Sequence, residues 1–143
     1  TESRKDVRLV FKFFPLDGTC NPALSQKGDG SSCLLAYAVS CSEKLANKGW
    51  DAHNYAFDHQ DTYIKGAAFD KIVGDFSESL KINPTELKNC MDAPDTKQAV
   101  ETQALEGKNI VPGTPTIFVN NKVLEGGQFL PLLEEVYKEI DLL

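Results

Sequence analysis

The residue patterns predict an α/β or α+β chain in which a long helical section is inserted between parts of one sheet. Three observations carry this. Val7 to Phe14 is a near-continuous apolar run ended by Pro15, the pattern of a strand covered on both faces. Cys33 to Glu106 contains successive stretches with apolar residues at helical spacing. Thr116 to Leu124 then reads as a hairpin, followed by a final amphipathic helix. The 143 residues and their 41% hydrophobic content suit one domain with one core.

Composition narrows the function classes. A net charge of -6 argues against nucleic acid, whose phosphates would be repelled. No long uncharged apolar run is present to span a membrane, and no signal-peptide pattern opens the chain. Four cysteines, Cys20, Cys33, Cys41 and Cys90, form an even set without Cys-x-x-Cys or other close metal spacing. Paired cysteines are common outside the cytoplasm, so structural disulfides and an extracytoplasmic setting are expected. No metal or other cofactor is expected. The only histidines, His53 and His59, are six apart and near no cysteine pair.

In chain order, Val7 to Phe14 is the first strand. Lys12 interrupts it, either as a lysine reaching solvent at the sheet edge or as a charge near a redox site. Phe14 to Pro22 leaves it through a loop punctuated by Pro15, Gly18 and Pro22, and Ser25 to Ser32 continues as an exposed, mobile loop. A Cys20 to Cys33 disulfide would constrain that loop in the unfolded chain, a contribution of about 3 kcal/mol. Ser31 or Ser32 caps a helix from Cys33 to about Lys48, stopped by Gly49, with Leu34, Leu35, Ala38, Cys41, Leu45 and Ala46 on its inner face. Trp50 to Phe57 is a short aromatic segment whose rings pack as core, and His53 reads as a surface or satisfied histidine. Phe69, Ile72, Val73, Phe76 and Leu80 make a second helical stripe. Asn83-Pro84 opens a third helix carrying Leu87, Cys90 and Met91, and Asp95 caps a fourth that Gly107 stops. Asn120-Asn121 turns the hairpin, and Gln128 to Leu142 is the last helix.

The Gly113-Thr114-Pro115-Thr116 run before an apolar strand resembles the cis-proline loop of thioredoxin-fold proteins, most closely the DsbA-like thiol-disulfide oxidoreductases. Other signatures match in order: the strand ending in Phe14-Pro15-Leu16, the helix with Cys41, the Trp50 to Phe57 segment, and the helix with Cys90. Phe14 to Asp17 with Cys20-Asn21-Pro22 is also similar to thioredoxin-like domains fused to bacterial vitamin K epoxide reductase homologues. The resemblance implies a single DsbA-like domain over 1–143: a thioredoxin-like sheet from 1–16 and 108–143, with a helical insertion over about 31–106. It suggests a Cys41 to Cys90 disulfide, the alternative being two buried thiols that act as small hydrophobes. Thr114 and Pro115 would bind substrate by presenting backbone groups to an extended peptide.

The family's catalytic Cys-x-x-Cys, at a helix start that lowers the thiol pKa, has no counterpart here. The chain is therefore expected to lack the family's N-terminal strand-helix unit. The absent strand would lie between Val7 to Phe14 and Thr116 to Val119, so these are expected to pair directly or to exchange strands between molecules as an oligomer.

The function implied is the substrate-binding and scaffold part of an extracytoplasmic protein thiol-disulfide oxidoreductase of the bacterial periplasm or cell envelope. Its partners would be protein or peptide thiol and disulfide substrates, and a membrane redox partner of the vitamin K epoxide reductase type. The alternatives are a non-catalytic binding or chaperone-like module, and a redox-active pair made by Cys20 and Cys33.

Overall fold

The computed structural model describes residues 5–139, which fold as two units that meet in sequence at Gly107 and Lys108. The first unit is organised around α1 (Ser31–Ala46). It packs against α2 (Gly49–Asp58), α4 (Phe69–Leu80), α5 (Pro84–Asp92) and α6 (Pro94–Glu106), while the single-turn α3 (Gln60–Tyr63) links α2 to α4. Four neighbours require a helix buried over most of its circumference. The buried residues of α1 are accordingly Ser31, Cys33, Ala36, Tyr37, Ala38, Val39, Cys41 and Ser42, mostly small side chains that permit close approach. The expected inner face is thus displaced: Leu34 and Leu35 pack at its margin and Leu45 is exposed.

Local chemistry sets the helix ends. Asn83 caps α5, its Oδ1 accepting from the Thr85 and Glu86 backbone N–H groups at 2.9 and 3.1 Å, with Pro84 in the first turn. Helix α1 begins after Gly30 and without a serine cap; Asp29 Oδ1 accepts from Ser31 N–H at 2.9 Å instead. Asn47, in the left-handed region at φ 55°, ends α1 where Gly49 was the expected stop. Gly49 opens α2. Its N–H donates to the Glu43 carboxylate at 2.8 Å, and a Cβ there would lie 2.6 Å from the same oxygen. Pro94, rather than an Asp95 cap, starts α6.

The stripe on α4 is buried as its spacing predicts: Ile72, Val73, Phe76 and Leu80 meet Leu87 and Met91 of α5 in one core. Gly74 has open space around it and leaves the helix unbroken. Tyr63, buried at the same core, donates its hydroxyl to Asp75 Oδ2 at 2.9 Å. Burial and this bond push its phenol far above the usual tyrosine range.

Val7 to Phe14 corrects the predicted fold class. This segment is in no strand, and Leu9 and Val10 are 59% and 54% exposed. It is held by side chains: Phe13 N–H donates to Gln103 Oε1 at 3.0 Å, and Lys12 pairs with Glu106 at 2.9 Å. An apolar β-branched run favours a pleated, half-buried surface but becomes a strand only where another strand supplies the ladder. The sole ladder among the described residues joins β1 (Phe118–Val119) to β2 (Lys122–Val123), so the expected pairing of Val7 to Phe14 with Thr116 to Val119 is not made. The protein is mostly helical, with a two-stranded sheet, and not a thioredoxin-like (DsbA-like) α/β sheet with an inserted helical domain.

The second unit, from Lys108, contains that hairpin and α7 (Leu130–Glu139). Asn120 and Asn121 sit at φ 48° and 66°, the pair of left-handed residues that a two-residue hairpin turn requires, and Phe118 faces Val123 across the ladder. Leu132, Leu133, Val136 and Tyr137 form the half-buried stripe of α7. Ile140 and Leu142 of the expected last helix lie outside the described residues.

Phe76→Ala, at a fully buried position, should cost about 3–5 kcal/mol in urea unfolding, whereas Phe57→Ala, at a 55% exposed one, should change stability by less than about 1 kcal/mol. Equal losses would misplace the core.

Candidate functional site

The sulfurs lie in the first unit and the Thr114-Pro115 bend in the second. Cys20 is joined to Cys33 and Cys41 to Cys90, with Cα separations of 5.8 and 5.9 Å, and no cysteine is free. These four residues account for every cysteine in the sequence.

The first disulfide is set by a knot around Asp17. Its buried carboxylate accepts from the backbone N–H groups of Thr19, Gly28 and Gly30 at 2.8, 2.9 and 2.8 Å. Asn21, also buried, donates from Nδ2 to the Pro15 carbonyl at 2.8 Å and accepts from Ala23 N–H at 3.0 Å. A Cβ on Gly28 would meet the Asp17 carboxylate at 2.6 Å, so this approach needs glycine. The Ser25 to Ser32 stretch, expected to be exposed and mobile, is exposed only over Ser25 to Asp29 and is tied to Asp17 through the Gly28 and Gly30 N–H groups. Hydrogen bonds from the Thr19 side chain and from Gly28, with those from the Thr19 and Gly30 backbone, hold the Asp17 carboxyl far below the usual carboxylate range against the opposing cost of burial.

Cys33 is the third residue of α1, where the positive helix end would favour a thiolate. Access is what this pair lacks. Cys20 and Cys33 are 1% and 3% exposed, so an incoming thiolate meets protein before sulfur. The second pair differs. Cys41 is wholly buried in α1, Cys90 is only partly buried near the end of α5, and the Thr96 hydroxyl lies 3.7 Å from Cys41 Sγ and 3.6 Å from Cys90 Sγ. Thr96 carries no motif in sequence; only the packing of α6 on α1 and α5 brings it to the sulfurs.

A face of exposed rings is the other feature of the unit. Trp50, His53 and Phe57 follow one another at helical spacing along α2, and Phe11 completes the group. His53 is its centre, with ring centroids 4.5 Å from Phe11, 5.1 Å from Trp50 and 4.7 Å from Phe57. Trp50 is 45% exposed, so the expected packing of these rings as core is corrected: Trp50 and Phe57 face outward, while Tyr55 points inward against Phe76. A cleft of about 290 Å³ adjoins them, lined by Phe11, Phe13, Glu43, Trp50, His53 and Gln103 among others. The spacing of the three α2 rings was legible; their outward direction was not.

Thr114 and Pro115 are exposed, and the peptide bond between them is cis. The Thr116 hydroxyl donates to the Gly113 carbonyl across the bend. No group of histidine, cysteine and carboxylate side chains among the described residues has the geometry to hold a metal ion. No described helix is long and apolar enough to cross a membrane.

Removing the disulfides should rank by the loop each closes. The Cys20→Ser/Cys33→Ser variant, closing 13 residues, should lose about 3 kcal/mol and the Cys41→Ser/Cys90→Ser variant, closing 49, about 4 kcal/mol in denaturant unfolding. Asp17 gives the acid limb its shape. Its folded pKa is depressed, so its contribution is complete well above the ordinary value of about 3.9 and fades as pH falls through and below it. Asp17→Asn should cost about 1–3 kcal/mol at neutral pH and flatten the stability profile below about pH 4. An unchanged acid profile would remove Asp17 from this role.

No family model and no solved structure matches the chain. It is 31% identical over 116 residues to "Disulfide bond formation protein D" of Bacillus subtilis (strain 168), a match covering 79% of this chain and 52% of that protein. The chain thus spans about half the length of the curated relative it matches, and it shares with that relative a sequence likeness while carrying two disulfides of its own.

Proposed function

We propose that the chain serves extracytoplasmic disulfide chemistry as the substrate-binding and scaffold part of a protein thiol-disulfide oxidoreductase. The observation that carries this reading is the state of its sulfurs: all four are committed to disulfides in a chain similar to a disulfide bond formation protein. Disulfides persist in oxidising compartments, which favours the bacterial periplasm or cell envelope. With both pairs joined and the first buried, the attacking thiolate of this reading comes from residues outside 1–143. Thr114 and Pro115 present exposed backbone to a protein or peptide substrate in extended conformation. A membrane protein of the vitamin K epoxide reductase type is the proposed redox partner.

A second reading, a non-catalytic binding module, draws on the exposed rings of Phe11, Trp50 and Phe57. Outward aromatic side chains beside a cleft suit the apolar segments of an unfolded chain.

Insulin reduction and oxidative refolding of a reduced protein, run with residues 1–143 and with the full-length gene product, separate these readings. Turnover only by the full-length product, with KM raised several-fold by Thr114→Arg, is the expected result. Turnover by residues 1–143 alone, abolished by Cys33→Ser, would transfer the chemistry to Cys20 and Cys33. Suppression of insulin aggregation without turnover by either form would favour the binding module.

A further inference from the structure

The two disulfides sit in opposite chemical surroundings. Thiol-disulfide exchange needs a reachable sulfur for the incoming thiolate and stabilisation of the sulfur that leaves with the negative charge. At Cys20 the Asp17 carbonyl oxygen lies 3.9 Å from Sγ. A bridged sulfur has no hydrogen to donate, so this is oxygen against sulfur. A thiolate there would be repelled by that oxygen. Both residues of the pair are also buried.

The surroundings of Cys41 and Cys90 are reversed. Thr96 Oγ1 lies within 3.7 Å of both sulfurs, and since neither carries a hydrogen, the hydroxyl is the donor, to one sulfur at a time. Thr96 is itself buried, so water does not compete for that hydrogen. It is the third residue of α6, in the helix's first turn. The two residues differ in exposure: Cys41 is wholly buried in α1, and Cys90 is only partly buried.

We propose that the Cys41–Cys90 disulfide is a reversible modification site for low-molecular-mass thiols, with Cys90 the sulfur that is attacked and Thr96 the residue that stabilises the departing one. The incoming thiolate forms a bond to Cys90 Sγ, the bond from Cys90 Sγ to Cys41 Sγ breaks, and Cys41 leaves as a thiolate that receives the Thr96 hydrogen bond and then takes a proton from solvent. One disulfide is exchanged for another, and no outside oxidant is consumed. Cys41 stays beside the adduct, so its thiolate expels the small thiol and restores the native pair when that thiol is withdrawn. Opening releases the covalent tie between α1 and α5, while Cys20–Cys33 keeps the start of α1 fixed. The proposal stands whether or not the chain acts on disulfides of other proteins.

The test treats the native, oxidised protein with limiting 2-mercaptoethanol, quenches with acid, alkylates, and maps peptides without reduction while circular dichroism follows the fold. The expected first product carries the mercaptoethanol adduct on Cys90 and the alkyl group on Cys41, with Cys20–Cys33 intact and opening at least about tenfold more slowly. Thr96→Val should slow the first step by about tenfold, the worth of one hydrogen bond to a charged sulfur, and Thr96→Ser should restore it. Removal of the thiol should return the native pairing. Opening of Cys20–Cys33 first, an adduct on Cys41, opening of both pairs only as the helical signal is lost, or a Thr96→Val rate equal to wild type would each overturn the proposal. If Thr96→Val does not fold, the order of opening and the position of the adduct in the wild-type protein decide it.

Discussion

Everything in the first unit depends on holding α1 at the centre of four other helices. A helix so enclosed needs small side chains wherever a neighbour crosses closely, and Ala36, Ala38, Cys41 and Ser42 supply them. It must also be fixed along its length. The two disulfides leave α1 from its first turn at Cys33 and from Cys41 two turns later, one tying it to the preceding loop and the other to α5. Because each closes a loop, much of their effect falls on the unfolded chain, which loses freedom that folding would otherwise remove.

The Asp17 knot is the polar counterpart of that packing. It gathers three backbone N–H groups from the loop before α1 on one buried carboxylate, so the loop stays ordered without a core of its own. The same arrangement orients Cys20 toward Cys33 and Gly30 toward the helix start. The first disulfide is buried beside this knot, whereas the second has the Thr96 hydroxyl within 3.7 Å of both sulfurs and one partly exposed cysteine.

The aromatic face shows a different use of apolar residues. Tyr55 of α2 turns inward and meets Phe76 of α4 edge to face in the core, while Trp50 and Phe57 of α2 turn outward around His53. Helix α2 is therefore aromatic on more than one side. One side contributes to folding, and the other stays exposed.

Where local chemistry suffices, the sequence by itself determined the outcome. Asn83-Pro84 specifies a helix start, Asn120-Asn121 a hairpin turn, and the α4 spacing a buried stripe, because each depends only on residues a few positions apart. Val7 to Phe14 shows the limit. Its apolar run is a strand pattern, but a ladder needs a partner, and among the described residues none pairs with it. The exposed direction of Trp50, the enclosure of α1 and the presence of Thr96 beside the second disulfide were likewise settled only by tertiary structure. Each depends on which elements pack together, and contacts between residues far apart in the chain leave no periodic trace in sequence.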